Sequence, residues 1–330
     1  MKKIIVAILA IVLFALPFSA CKKDDDGLKK IELNEVTHSV FYAPLYVAIE
    51  KDFFKEEGLE IKLTNGGGAD KVMTAVLSNS AQIGLMGPES SLYVYNQGKT
   101  DYPIVFGQLT QKDGSFLVSR VDEPNFKWED LAGKGILAGR PGGVPLMTFE
   151  YLVNQHNLYD GEDLTLITDV QFDLMTAAFE SGTGDYCTMF EPLASEYEKA
   201  GKGYVVASVG EGAGEVPYTS FVAKQSYIEK NLETINAFLR ALKKAYDFMN
   251  TATDEEIAQA IVGQFPSTSV ESLTVSVTSY KAIDAWTDDL TMSEDSFNRL
   301  QDIMQNAGEL DERVPFEKVV NNSYAEAIFK

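Results

Sequence analysis

From Lys30 onward the polarity of the chain alternates between short apolar runs and amphipathic ones. Ile31 to Val36 predicts a strand. His38 to Phe54, HSVFYAPLYVAIEKDFF, then predicts a loop opening into a helix over Pro44 to Lys55. Proline suits that start because a first-turn position leaves its N–H unpaired anyway. Leu45, Ala48, Ile49 and Phe53 recur at helical spacing and give the helix one apolar face. Leu59 to Thr64 reads as a second strand, and Asn65 to Gly68 opens a helix carrying Val72, Met73, Val76 and Leu77 on one side. Gln82 to Met86 is a third strand, Gly87 to Ser91 starts a third helix running to Gln97, and Ile104 to Phe106 begins a fourth strand. Strand–helix alternation of this kind predicts an α/β fold with a parallel sheet and helices on both faces.

Pro103 to Val121 is long and β-rich without a helix, the kind of run that carries a chain from one unit into another. The alternation then restarts. A helical turn over Trp128 to Gly133 leads to a strand at Lys134 to Ala138, the loop Gly139 to Gly143, and a helix over Val144 to Gln155. Strands at Leu164 to Thr168, Asp185 to Phe190 and Tyr204 to Val209 enclose helices at Asp173 to Ser181 and Pro192 to Ala200. A Gly-rich acidic stretch, Gly210 to Val216, precedes a returning strand at Tyr218 to Ala223. Thereafter the pattern is helical: a long helix capped by Asn231, then Asp254 to Gln264, Ser269 to Ala285 and Ser293 to Ala307. Two α/β units in series with a helical tail predict two lobes. Residues 30–110 and 215–330 form the first and 111–214 the second, with the tail on the first lobe and crossings near 107–114 and 212–218.

The first twenty residues stand apart. Lys2 and Lys3 precede an apolar run from Ile4 to Leu16, and Ser19-Ala20 precede Cys21, the layout of a signal peptide. Thirteen apolar residues are short for a bilayer span. Phe18-Ser19-Ala20-Cys21 resembles a bacterial lipobox, with phenylalanine where leucine is usual, so Cys21 is the expected lipidation site. Residues 21–29 then form a polar tether, and the expected location is the extracytoplasmic face of the cell membrane. Without residues 1–20 the chain keeps 26 basic against 49 acidic side chains, a formal charge of −23, which repels phosphates and argues against nucleic acid. Cys187 is left without a partner in an apolar strand, and two histidines with no Cys/His cluster argue against a metal site.

Four loops share the layout strand, polar or Gly-rich turn, helix start: Thr37 to Tyr42, Asn65 to Asp70, Gly87 to Ser91 and Gly139 to Val144. At the carboxyl edge of a parallel sheet such loops face the ligand crevice, and helix starts expose backbone donors. They supply the candidate ligand residues His38, Ser39, Phe41, Tyr42, Gly68, Gly87, Glu89, Ser90, Arg140, Gly142 and Gly143. Phe172, Phe190, Glu191 and Tyr218 join them from the second unit and the returning strand. Each has a plainer reading beside the functional one. Phe41 and Tyr42 also fit packing of the helix onto the sheet, Arg140 a surface ion pair, and Glu191-Pro192 an ordinary first-turn acid. No phosphate loop, dinucleotide fingerprint, nucleophile elbow or paired-carboxylate spacing occurs, so no catalytic residue and no cofactor are expected.

Several blocks together resemble the solute-binding proteins of ABC importers for nitrate, sulfonates, taurine and thiamine pyrimidine precursors. They are FYAPLYVAIEKDFFKEEGLEIKL, GGGADKVMTAVLSNSAQIGLMGPES, WEDLAGKGILAGRPGG, MFEPLASEYEKAG and YIEKNLETINAFLRALKKAYDFM, in order over residues 30–250. The resemblance implies a two-lobed periplasmic-binding-protein fold of type 2, closing on one small molecule. It also implies an ABC permease with its ATPase as partner, and a monomer. Some eukaryotic relatives are pyrimidine synthases with a cysteine-rich iron motif. Here only Cys187 lies in the comparable region, which disfavours an enzyme. Ser39, Ser90 and Arg140 fit an anionic ligand such as a sulfonate or nitrate. His38, Phe41, Tyr42, Phe172, Phe190, Glu89 and Glu191 fit a flat nitrogen heterocycle. Two acids beside a bound anion are costly, so the heterocycle is preferred, on the condition that Glu89 and Glu191 do not face solvent.

Overall fold

The computed structural model describes residues 27–330; the signal-peptide reading, Cys21 and most of the tether lie outside them. Among the described residues ten strands form two five-stranded sheets. The first contains β1 (Lys29–Glu35), β2 (Leu59–Asn65), β3 (Ile83–Met86), β4 (Pro103–Thr110) and β10 (Thr219–Lys224) in the order β2-β1-β3-β10-β4. The second contains β5 (Ser115–Ser119), β6 (Gly135–Leu137), β7 (Thr165–Leu166), β8 (Tyr186–Phe190) and β9 (Tyr204–Ser208) in the order β7-β6-β8-β5-β9.

The two sheets repeat one plan. β1 pairs in parallel with β2 and β3, and β6 in parallel with β7 and β8. The antiparallel strand occupies the fourth place in each, β10 between β3 and β4, and β5 between β8 and β9. Those two strands are where the chain arrives from the other sheet. Hence the crossings 111–114 and 214–218 lie side by side, tied by Val216 N–H to Gln111 O at 2.8 Å and Tyr218 N–H to Thr110 O at 3.1 Å. Strand direction was not legible in the pattern, because a strand buried on both faces reads as the same apolar run either way. The hinge strands β4 and β5 are buried throughout.

The helices follow the apolar periodicity with instructive exceptions. Val144–Gln155 has the expected bounds, with Gly143 at its N-cap and proline in its first turn. The helix expected over Pro44 to Lys55 is instead two, Ala43–Glu50 and Phe53–Glu56. Asp52 between them takes a left-handed φ of 60°, a conformation tolerated by Asp, that re-aims Phe54 into the core. The Gly-rich stretch after β9 is not a loop at its start but a short helix, Val209–Ala213, because the Ser208 hydroxyl accepts the Glu211 N–H. Asn231 does not cap Leu232–Met249 with its side chain; its Oδ1 accepts from Lys29 instead.

The helical tail packs on the first sheet through Leu232–Met249, whose stripe of Ile235, Phe238, Leu239 and Leu242 is fully buried. It also reaches the second lobe. Val270–Ala282 touches Leu193–Lys199, and Glu294–Asn306 touches Val144–Gln155. A third segment lies along the hinge: Ala285 O accepts the Gln111 N–H at 2.9 Å, and Thr110 bridges to Trp286. Among the described residues no helix is long and apolar enough to cross a membrane.

Candidate functional site

The site is built where the carboxyl edges of the two sheets face each other. Ser39 caps a 3-10 turn, Val40–Tyr42, by accepting the Phe41 N–H, and this turn delivers Phe41 and Tyr42 to the first helix. Phe41 is 1% exposed, and its ring centroid lies 5.0 Å from Tyr280, 5.7 Å from Tyr42, 5.7 Å from Phe190 and 5.8 Å from Tyr218. Phe172 stacks edge-on against Phe190. The candidate aromatics from three separate parts of the chain therefore form one cluster between the lobes. Gly114 in the hinge sits so close to the Phe41 ring that a Cβ there would collide with it.

The loops of the two lobes also touch. The Tyr93 hydroxyl donates to Gly142 O at 3.2 Å, joining the helix Glu89–Asn96 to the glycine loop of the second lobe. Gly143 caps the helix after that loop, and its N–H donates to Arg140 O. Arg140 is half-buried at the rim, donating to Gln171 Oε1 at 3.3 Å. Its guanidinium lies near Gly68, which has φ +147° and stands just before the helix Ala69–Leu77.

Glu89 is the chemically distinctive member. It follows Gly87-Pro88 at the end of β3 and is 2% exposed. Burial pushes its carboxyl up to about 8, although backbone N–H groups and the neighbouring Ser90 hydroxyl pull the other way. Its Oε2 has no hydrogen-bond partner. The helix start favours a negative charge there, yet loss of water outweighs that preference, so the carboxyl holds its proton more tightly than an ordinary glutamate. Tyr42, Tyr93 and Tyr218 surround it closely enough that its charge would oppose theirs, and burial raises all three phenols.

Glu191 differs. It is 5% exposed, so both acids meet the condition set by the sequence, but its oxygens are occupied. Ser195 N–H and Oγ donate to Oε2 at 3.1 and 2.7 Å, and Ser279 Oγ donates to Oε1 at 3.0 Å. His38 is likewise engaged. Its Nε2 meets Gln264 O at 2.9 Å and its Nδ1 meets Glu35 Oε1 at 2.7 Å, while Tyr46 and Phe265 flank the ring. The Glu35 hydrogen bond raises the His38 pKa above its ordinary value against the opposing effect of burial. Both ring nitrogens therefore serve the fold.

Residues that sequence reasoning did not single out stand beside these strand ends. Ser220 on β10 stands opposite Gln108 on β4 and Met86 on β3, level with the strand end that carries Glu89. Ser220 Oγ, Gln108 Oε1, Ser91 Oγ and Thr110 Oγ1 are buried without hydrogen-bond partners. Polar residues within the apolar strands PIVFGQLT and TSFVAK were the available signal. Asp113 in the hinge is fully buried and pushed up to about 6 by burial, with Ser115 donating twice to its Oδ1. Tyr280 and Trp286 arrive from the tail, the indole N–H donating to Phe41 O at 2.9 Å. Among the described residues no group of three or more His, Cys, Asp or Glu is arranged to hold a metal ion.

Two similar α/β lobes, joined by paired crossings and meeting across a cleft of strand-end loops, define a periplasmic-binding-protein fold. A family model described as NMT1/THI5 like matches residues 40–256, and the chain belongs to that family. The Bacillus subtilis (strain 168) protein named "Putative binding protein YtlA" is 44% identical over 317 residues, covering 96% of this chain and 94% of its own. The alkanesulfonate-binding protein SsuA from Xanthomonas axonopodis pv. citri, bound to MOPS, shares the fold with a TM-score of 0.70 at 15% identity, covering 89% of this chain and 98% of that one. So does the desulfurization enzyme DSZB, with a TM-score of 0.61 at 14% identity over 91% of this chain and 98% of that one. The fold alone therefore does not separate binding from catalysis.

Proposed function

We propose that this chain is the extracytoplasmic solute-binding subunit of an ABC-type importer, and that its ligand is a flat nitrogen heterocycle such as an aminopyrimidine related to thiamine precursors. On this reading residues 30–110 with 215–330, and 111–214, are two lobes that close on the ligand and present it to a permease. The chain would act as a monomer tethered through Cys21, without catalysing a reaction. The kinship with a named binding protein at 44% identity supports the class.

The observation that carries the ligand class is Glu89, a buried acid pushed up to about 8 with one oxygen unpartnered, set among tyrosines; on this reading it is protonated in the site. A protonated carboxyl presents one donor and one acceptor side by side. That pair matches the edge of a ring where an amino group adjoins a ring nitrogen, and the aromatic cluster supplies stacking faces. An anion fits less well. The start of helix Glu89–Asn96 is already taken by an acid, and the nearest arginine among the candidates, Arg140, sits half-buried at the rim beside Gln171.

Ligand binding raises the unfolding temperature by mass action, so a thermal-shift panel of aminopyrimidines, flavins, alkanesulfonates, taurine and nitrate tests the proposal. The expected result is a shift with aminopyrimidines that Glu89→Gln retains, because glutamine keeps a donor and an acceptor, and that Glu89→Ala abolishes. A shift confined to sulfonates or nitrate overturns the heterocycle. Turnover of a panel member by the purified chain overturns the non-catalytic reading.

A further inference from the structure

Glu191 ends β8, the strand that holds in the second sheet the place β3 holds in the first. Its carboxylate accepts three hydrogen bonds, and its own N–H is accepted by Tyr280 Oη at 3.0 Å. The two bonds from Ser195 stay within the second lobe. The other two reach consecutive residues, Ser279 and Tyr280, on the tail helix Val270–Ala282. That helix packs against Asp254–Ile261 and against the turn Val40–Tyr42, so it moves with the first lobe. The Tyr280 ring lies 5.0 Å from Phe41 in the first lobe and 6.3 Å from Phe116 in the second. Both Glu191 oxygens are already engaged by protein donors, and both bonds to the tail would break if the lobes parted.

We propose that Glu191, Ser279 and Tyr280 form a closing latch. They are positioning residues that hold the second lobe against the tail and set the balance of open and closed forms, whatever ligand occupies the cleft. The proposal rests on the binding-protein reading above. A ligand that needs the closed form binds more weakly in proportion as that form is less populated. Loss of the latch therefore weakens every ligand by one common factor, whereas loss of a ligand contact weakens ligands selectively. A hydrogen bond to a buried carboxylate is among the stronger kind, so the common factor for Ser279→Ala is expected to approach tenfold.

The test places spin labels at the exposed Lys99→Cys in the first lobe and Glu162→Cys in the second. Cys187 stays unlabelled, being fully buried with its thiol pushed up to about 12 by burial. Distance distributions are recorded without ligand and with each compound of the thermal-shift panel, for the parent chain, Ser279→Ala and Glu191→Gln. Ser279 is only half-buried, so its alanine variant keeps the fold even if Glu191→Gln does not. The expected result is a smaller closed fraction in both variants and dissociation constants raised by the same factor for every compound that binds. Unchanged distances, a parent chain that never populates the closed form, or a loss confined to one ligand overturns the latch. If no compound binds, the importer reading fails, and the ligand-free distances still decide the latch.

Discussion

Glu89 and Glu191 occupy matching places, each just beyond the strand that stands third in its sheet. Both are buried, at 2% and 5% exposure, yet their hydrogen-bond surroundings differ. Glu89 keeps an unpartnered oxygen and a pKa of about 8; Glu191 has every oxygen engaged by serines. Burial alone does not decide what a carboxylate does. The number of donors brought to it does. In the first lobe the neighbours are tyrosines and the helix supplies little. In the second, Ser195 lies one helical turn on and Ser279 comes from the tail. On the proposed reading, the acid left short of partners is the one that meets a ligand, and the acid given more of them is a fastening.

The largest effect that would break this contrast is on the pH dependence of stability. The Glu89 carboxyl ordinarily titrates at 4.5 and in the folded chain at about 8. Between those values the folded state holds a proton that the unfolded state has released. Stability from this group is therefore fully present below pH 4.5 and lost as pH rises through 8, at about 1.4 kcal/mol per pH unit. Urea unfolding at pH 5, 7 and 9 should show Glu89→Gln gaining on the parent by roughly 4 kcal/mol across that range, by the same relation. His38 and Asp113, also raised, give slopes of the same sign, but in both proteins alike. Parallel pH curves for the two proteins would show that Glu89 is ionised and that the contrast is wrong.

Removing the other acid should do the reverse. Glu191→Ala leaves the Ser195 N–H, the Ser195 hydroxyl and the Ser279 hydroxyl without their acceptor. Each buried unmade bond costs about 1–3 kcal/mol, less where a hydroxyl can turn to another acceptor. Ser195 has Pro192 O within 3.2 Å for that purpose. A net loss of about 3 kcal/mol at pH 7 is expected, read as a lower urea midpoint with an unchanged slope. A loss below about 0.5 kcal/mol, the level of an ordinary surface change, would mean that the bonds to Glu191 are not formed in solution.

How much of this was legible depended on whether a feature was local. The helix Val144–Gln155 was readable because its apolar spacing, its proline and the preceding glycines all agree within one short stretch. The break at Asp52 was not, since Phe53 and Phe54 continue the apolar face and only the backbone turns. For the site, the strand-end loops were legible from topology, and Phe41, Tyr42, Phe190, Glu89 and Tyr218 do converge. Their states were not legible. Nothing near Glu191 in sequence announces Ser279, 88 residues away, or Tyr280. His38 looked free for a ligand because Gln264 lies 226 residues on. A buried polar group is defined by partners that the fold, not the neighbouring sequence, supplies.

The smallest effect sharpens the same comparison with two tyrosines that both touch the Phe41 ring. Tyr280 Oη accepts the Glu191 N–H, whereas Tyr218 Oη is buried against the Asp113 carboxyl. Replacing either by phenylalanine keeps the ring and removes one oxygen. Tyr280→Phe strands a buried backbone donor and should cost about 1–2 kcal/mol. Tyr218→Phe removes a hydroxyl that meets a side chain, Asp113, whose carboxyl keeps both Ser115 bonds, so it should cost less, about 0.5–1 kcal/mol. Its larger cost should appear in binding, as weaker affinity for ligands that hydrogen-bond beside Glu89. Thermal unfolding with and without the best ligand separates the two outcomes. If Tyr218→Phe destabilises the ligand-free chain as much as Tyr280→Phe does, its hydroxyl belongs to the fastenings of the fold, and the polar surface left for a ligand shrinks to the neighbourhood of Glu89.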